Sequence, residues 1–145
     1  MIYLGSDHGG FKLKESIKSF LDNKNIKYED MGTHNEESCD YPDIAKIVAN
    51  QVAEKNALGI LVCGTGIGMS IAANKIKGIR AALCHNEYTA EMARKHNDAN
   101  ILCLGGRVLQ KDIALKIVDI FINTEFDGGR HKRRVDKIME IQDGC

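Results

Sequence analysis

One cysteine of this chain stands where a side chain could act as a base. Cys63 ends an apolar run and opens the segment 63–68, Cys-Gly-Thr-Gly-Ile-Gly, which a helical pattern follows. Glycines let the backbone approach a ligand closely, and the unpaired N–H groups of a helix start bind anions or a developing oxyanion. The helix dipole also favours thiolate over thiol. The segment predicts proton transfer by Cys63 beside an anion-binding turn, although a packed cysteine before an ordinary glycine turn fits the spacing equally well.

The glycines of this turn do not match the common nucleotide-binding motifs. A P-loop requires Lys-Ser or Lys-Thr after its second glycine, and the dinucleotide fingerprint requires a glycine where Met69 or Ile71 stands. The next predicted strand also lacks an acidic residue at its end, where a ribose hydroxyl would be bound. Dinucleotide binding is therefore disfavoured.

A second segment places a carboxylate beside an imidazole. Asp7 and His8 lie between glycines in the segment 5–10, directly after the first apolar run. Such a pair can move protons on and off hydroxyl groups. Asp7 could equally cap the following helix, and His8 could be a surface residue.

Three further segments offer groups for a phosphorylated substrate. His96 and Asn97 close a helical pattern, and Arg107 follows an apolar run. Arg130 and Arg134 are spaced i, i+4 at the start of the last helical pattern, so both guanidiniums could hold one phosphate. A helix C-cap at Asn97 and a merely solvated arginine pair are the structural alternatives.

The order of apolar patterns predicts how these residues are positioned. Short β-type runs alternate with longer helical stretches, which is typical of βαβ units around a parallel sheet. The predicted strands are 2–5, 28–31, 59–63, 80–84 and 100–104. The predicted helices are 11–23, 44–55, a short helix after Gly68, 87–95, 111–123 and a C-terminal extra helix, 130–141. Pro42 indicates that the second helix begins there, because the first turn of a helix does not need its N–H. One α/β domain, 1–145, with a doubly wound five-stranded sheet follows, and its ligands should lie beyond the carboxyl ends of the strands.

Composition excludes several classes of protein. Twenty basic and twenty acidic residues cancel, so the bulk positive field of a nucleic-acid binder is absent. The apolar runs are far shorter than the about 20 residues that cross a bilayer, and the first residues do not resemble a secretion signal. We therefore expect a cytoplasmic protein without a nucleic-acid or membrane partner.

The cysteines are scattered and form no CxxC pair, which argues against a disulfide framework or a zinc cluster. All five are expected to be reduced thiols: Cys39, Cys63, Cys84, Cys103 and Cys145.

Taken in order, these motifs resemble those of the type B ribose-5-phosphate isomerases, a family that includes allose- and galactose-6-phosphate isomerases. The resemblance covers nearly the whole chain, at 5–10, 40–42, 63–68, 71–75, 96–98 and 128–131. It implies a Rossmann-like fold, a homodimer or dimer of dimers with shared active sites, and aldose–ketose isomerisation without metal or cofactor. The implied substrate is ribose 5-phosphate. A six-carbon aldose 6-phosphate is the alternative, and a non-catalytic sugar-phosphate-binding module is less favoured.

The same resemblance assigns roles to individual residues. Cys63 would carry the proton between C2 and C1, and His96 or Asp7 would open the sugar ring. Thr65 and the glycines of the turn would stabilise the enediolate. The remaining residues would bind the substrate, with His8, Arg130 and Arg134 on its phosphate and Tyr41, Gly64, Gly66, Ile67, Gly68, Asn97 and Arg107 lining the site. One branch of the family uses a glutamate where Met69 stands, so the cysteine branch is the closer match.

Overall fold

Five parallel strands form the centre of the molecule. The computed structural model describes residues 1–144. Its strands are Ile2–Ser6 (β1), Tyr28–Asp30 (β2), Leu58–Cys63 (β3), Ala81–Leu83 (β4) and Ile101–Gly105 (β5). They pair in parallel in the order β2-β1-β3-β5-β4. The predicted five-stranded parallel sheet is confirmed, and every predicted strand end lies within one residue of the observed one.

Helices connect the strands and follow the last of them. They are Phe11–Asn23 (α1), Tyr41–Lys55 (α2), Ile67–Ala73 (α3), Glu87–Lys95 (α4), Lys111–Asn123 (α5) and Arg130–Gln142 (α6). The second helix begins at Tyr41, so the start predicted from Pro42 is confirmed within one residue, in a first turn that does not need the proline N–H. One predicted helix start is wrong. The third helix begins at Ile67 rather than after Gly68, because Gly66, at φ 81°, already completes the preceding turn.

The helices cover both faces of the sheet, as predicted for a doubly wound fold. Side chains alternate along each strand, so Ile60 and Leu102 enter the core under α1, α4 and α5. Leu61 and Ile101 enter the core under α2 and α3. The chain places β2 on one side of β1 and β3 on the other, so the topological switch point lies between β1 and β3. Crevices at such a point bind ligands at the carboxyl ends of the strands.

The structure describes four of the five cysteines. Cys39, Cys63, Cys84 and Cys103 are free thiols, while Cys145 lies outside the described residues. Burial raises the pKa of Cys84 to about 11 and raises the pKa of Cys103 as well, which keeps both protonated at neutral pH. Within residues 1–144, none of the helices combines the length and apolar character that a membrane crossing requires.

A buried ion pair fastens the segment after β2 to α1. Lys14 is 1% exposed, and its Nζ donates to Asp30 Oδ1 and, at 2.7 Å, to the carbonyl of Thr33. Asp30 also accepts from Lys18 Nζ at 2.9 Å and from the Gly32 amide at 3.0 Å. Burial alone would raise the pKa of Asp30, but these donors outweigh it and lower the pKa to about 2. The carboxylate therefore stays charged at any ordinary pH.

Replacing Asp30 by asparagine should destabilise the fold strongly, because Lys14 would keep its charge inside the protein without a counter-charge. We expect the free energy of unfolding in urea to fall by about 3 kcal/mol. Glu29→Gln is the matched control, because Glu29 is the exposed neighbour of Asp30 in β2. This change should alter the free energy of unfolding by less than about 0.5 kcal/mol.

The same pair predicts a pH dependence of stability. The pKa of Asp30 is lower in the folded chain than the about 3.9 of an unfolded aspartate. Its contribution to the free energy of unfolding is therefore complete above about pH 3.9. This contribution should be lost as the pH falls toward about 2. Wild type should thus lose more stability than Asp30→Asn between these pH values, and parallel losses would contradict the assignment.

Candidate active site

Cys63 lies at the carboxyl end of β3, beside the switch point. Its side chain is 5% exposed, and its Sγ accepts a hydrogen bond from the Gly66 N–H at 3.1 Å. A side chain at Gly66 could not be accommodated, since its Cβ would lie 2.5 Å from Leu83 Cδ1. The turn therefore directs a backbone donor at sulfur, an arrangement that stabilises negative charge on an acceptor.

The rest of the turn presents polar groups next to this sulfur. Thr65 is exposed, and its Oγ1 accepts from the Ile67 N–H at 3.2 Å. The Gly68 and Met69 amides lie in the first turn of α3, where the helix itself offers them no carbonyl. The ring of Tyr41 packs on Gly68, because a Cβ there would lie 2.4 Å from Tyr41 Cε1. The structure thus places Tyr41 against the cysteine turn.

The segment after β1 places Asp7 and His8 at the same edge of the sheet. Asp7 is 7% exposed, and its Oδ1 accepts from the Gly10 N–H at 3.1 Å. Gly10 is the N-cap of α1, so the alternative that Asp7 caps this helix is wrong. His8 Nδ1 accepts from the Cys39 N–H at 3.3 Å. With Nδ1 as acceptor, the proton of a neutral His8 lies on Nε2, which can donate to a ligand.

Arg107 follows β5 and reaches over both glycine turns. Its N–H donates to the Gly64 carbonyl at 3.0 Å. Its guanidinium covers Gly9 and Gly64, since a Cβ at either position would lie 3.3 Å from a guanidinium atom. A cleft of about 240 Å³ opens here, and it is lined by His8, Gly9, Lys12, Leu13, Glu36, Gly106 and Arg107. The cleft has the positive charge and size to hold an anionic group.

Lys12 is a residue of this cleft that the sequence pattern does not single out. It lies in the first turn of α1, and its Nζ is 4.0 Å from the exposed Glu36 carboxylate. Its place two residues after Gly10, in the first turn of a helix, was the available signal, because such starts attract anions. A lysine on a helix surface is too common for that signal to be decisive.

The other predicted residues gather where α4 ends and α6 begins. His96 is the C-cap of α4, and the exposed Asn97 follows it. The ring of His131 stacks on that of His96, with centroids 4.0 Å apart and planes 11° apart. Arg130 and Arg134 are exposed on the first turns of α6. α6 therefore acts as the predicted extra helix and places its basic start beside His96.

The predicted site residues consequently form two groups, one at the carboxyl ends and one at the amino ends of the strands. We call them the carboxyl-edge group and the amino-edge group. The carboxyl-edge group contains Asp7, His8, Tyr41, Cys63, Gly64, Thr65, Gly66, Ile67, Gly68 and Arg107. The amino-edge group contains His96, Asn97, Arg130 and Arg134, because α4 returns to the edge where β5 begins. A five-residue strand, roughly 15 Å at about 3.3 Å a residue, separates the two edges. One chain alone does not bring Cys63 and His96 together.

Comparison with known proteins identifies the family of the chain. The sequence model of one protein family, described as Ribose/Galactose Isomerase, matches residues 2–138. The chain belongs to the ribose/galactose isomerase family. As a member of this family it is an enzyme of the isomerase class, an intramolecular oxidoreductase. The predicted resemblance is thereby confirmed.

Relatives within the ribose/galactose isomerase family match over almost their whole length. Ribose-5-phosphate isomerase B of Escherichia coli is 45% identical, covering 97% of this chain and 95% of that protein. The structure of Clostridium thermocellum ribose-5-phosphate isomerase B is 54% identical with a TM-score of 0.97, covering 99% and 97%. That of the Mycoplasma genitalium enzyme with bound ribulose 5-phosphate is 44% identical with a TM-score of 0.95, again covering 99% and 97%. The predicted Rossmann-like fold is confirmed.

Proposed function

We propose that this chain interconverts ribose 5-phosphate and ribulose 5-phosphate, with Cys63 as the proton-transfer base. The observation that carries the proposal is the hydrogen bond from the Gly66 N–H to the Cys63 sulfur, which lies at the switch point of the sheet. The family of the chain agrees with this assignment. The Mycoplasma genitalium relative with bound ribulose 5-phosphate supports the choice of substrate.

The proposed reaction begins with opening of the furanose ring. His96 or Asp7 moves protons so that the ring oxygen gains one and the anomeric hydroxyl loses one, which frees the aldehyde. Thiolate Cys63 then takes the proton from C2, and the electron pair moves onto the C1 oxygen to give the enediolate. The thiol returns the proton to C1 while the C2 hydroxyl passes its proton to the C1 oxygen, and the ketose results. The Thr65 hydroxyl and the amides of the turn would hold the enediolate oxygen.

A complete site requires a second copy of the chain. The carboxyl-edge group of one copy would meet the amino-edge group of the other, so that His8 and the pair Arg130 and Arg134 share the phosphate. Apolar side chains around the cysteine turn support such a contact, since Ile67 is 52% and Ile71 58% exposed. A two-fold dimer would then contain two identical shared sites, and a dimer of dimers would contain four.

The substrate can be tested in one assay series. Purified protein with a chelator is incubated with ribose 5-phosphate, allose 6-phosphate or galactose 6-phosphate, and ketose formation is followed. We expect kcat/KM to be highest for ribose 5-phosphate, by at least about tenfold, because the longer sugars must be placed in the same cleft. A preference for a six-carbon sugar would replace the proposed substrate. Saturable binding without turnover would replace the enzyme by a sugar-phosphate-binding module.

A further inference from the structure

Three side chains from separate segments meet at the amino edge of the sheet. They are His96 at the end of α4, Asp127 in the loop before α6, and His131 in the first turn of α6. One ligand atom from each lies within 4.8 Å of the others. We propose that this His–Asp–His cluster is an inhibitory binding site for a divalent transition metal ion, with Zn²⁺ as the best-matched ion.

The chemistry of the cluster suits zinc. Imidazole nitrogens and a carboxylate oxygen are ordinary zinc ligands, and a water molecule can supply the fourth position. Bonds of about 2.0–2.2 Å place tetrahedral ligand atoms roughly 3.4 Å apart. The three side chains are only partly buried or exposed, so rotation about their χ angles can close the remaining distance and unstack the two rings.

Backbone hydrogen bonds hold the three segments together. The Asp127 N–H donates to the Lys95 carbonyl at 3.0 Å, which ties the loop to the end of α4. The His131 N–H donates to the Gly128 carbonyl at 3.1 Å, which ties α6 to the same loop. Metal binding therefore requires movement of side chains alone, and little ordering of the chain.

The charges around the cluster set its affinity. Arg130 and Arg134, in the first turns of α6, repel a divalent cation, and the Asp127 carboxylate offsets this repulsion.

Inhibition follows from the proposed function, on which this part of the inference rests. A metal ion on His96 would occupy a nitrogen that ring opening uses and would place a divalent charge beside the phosphate-binding arginines. Turnover of ribose 5-phosphate should then fall as Zn²⁺ occupies the cluster, and a chelator should restore it.

The test uses protein without a histidine tag, titrated with Zn²⁺ in a calorimeter and with Co²⁺ as an absorption probe. We expect one ion per chain. Asp127→Asn should weaken binding at least about tenfold, because even the loss of an outer-shell partner costs about 10–100-fold. Glu125→Gln, an exposed acid in the same loop, is the matched control and should leave affinity unchanged. Neither residue belongs to the proposed catalytic groups, so both variants should keep the turnover of metal-free wild type.

The outcomes separate this inference from the proposed function. Equal Zn²⁺ affinity in wild type and Asp127→Asn would overturn the metal site while leaving the isomerase proposal intact. The titration is repeated with Cys63→Ala, where unchanged Zn²⁺ binding supports the cluster and lost binding assigns the ion to the thiolate instead. Zn²⁺ binding that depends on Asp127 but leaves turnover unchanged would overturn the inhibitory role and contradict the part given to His96 in ring opening.

Discussion

Replacing Cys63 by alanine should lower kcat for ribose 5-phosphate by at least about 100-fold, the usual contribution of a positioned general base. The sulfur is the proposed acceptor of the C2 proton, and the change removes it from a turn whose Gly66 N–H is directed at that position. KM should change little, because the thiol is not among the proposed phosphate contacts. Cys63→Ser should also be inactive, since a hydroxyl at that position remains protonated.

The matched control is Cys84→Ala, which removes a second buried cysteine that lies directly after β4. Burial raises the pKa of Cys84 to about 11, so it cannot be the base at neutral pH, and kcat should stay close to wild type. Circular dichroism and urea unfolding show whether each variant is folded under the assay conditions. Near-normal turnover in folded Cys63→Ala would exclude this residue as the base.

Mixing Cys63→Ala with His96→Ala should restore activity if His96 opens the ring and the site is shared between chains. A hybrid dimer of Cys63→Ala and His96→Ala has one site with both changes and one site with neither. Random exchange makes half of the dimers hybrids, each with one intact site, so turnover should reach about one quarter of wild type. Neither variant alone should exceed a small fraction of that rate. The measurement is kcat after subunit exchange, with hybrid formation followed by mass spectrometry.

The control mixture is Cys63→Ala with Thr65→Ala. Both residues belong to the carboxyl-edge group, so every site of that hybrid carries one change and no wild-type site can form. Turnover should equal the mean of the two separate variants. If hybrids of Cys63→Ala and His96→Ala form without any gain in activity, the two residues do not act across the interface and the shared site is refuted.

Local patterns explain why most elements were predictable. α4 and α5 begin and end where their patterns predict, because an apolar stripe with period 3.6 is a property of neighbouring residues. The strands β1, β3 and β5 were found within one residue because runs buried on both faces are continuously apolar. The start of α3 was missed because it depends on how Gly66 completes the preceding turn, which the apolar pattern does not reveal.

The sequence by itself determined the order of strands and helices along the chain and the residue types able to carry the chemistry, because these are local properties of the chain. Its motifs also resembled those of one family. Only the tertiary structure decided which of these residues meet. Tyr41 lies on Gly68, and Arg107 lies over Gly64. Both contacts depend on the order of the strands within the sheet and on the direction of the turns that follow them. The direction of α4 carries His96 to the edge opposite Cys63, and no distance along the sequence encodes that separation.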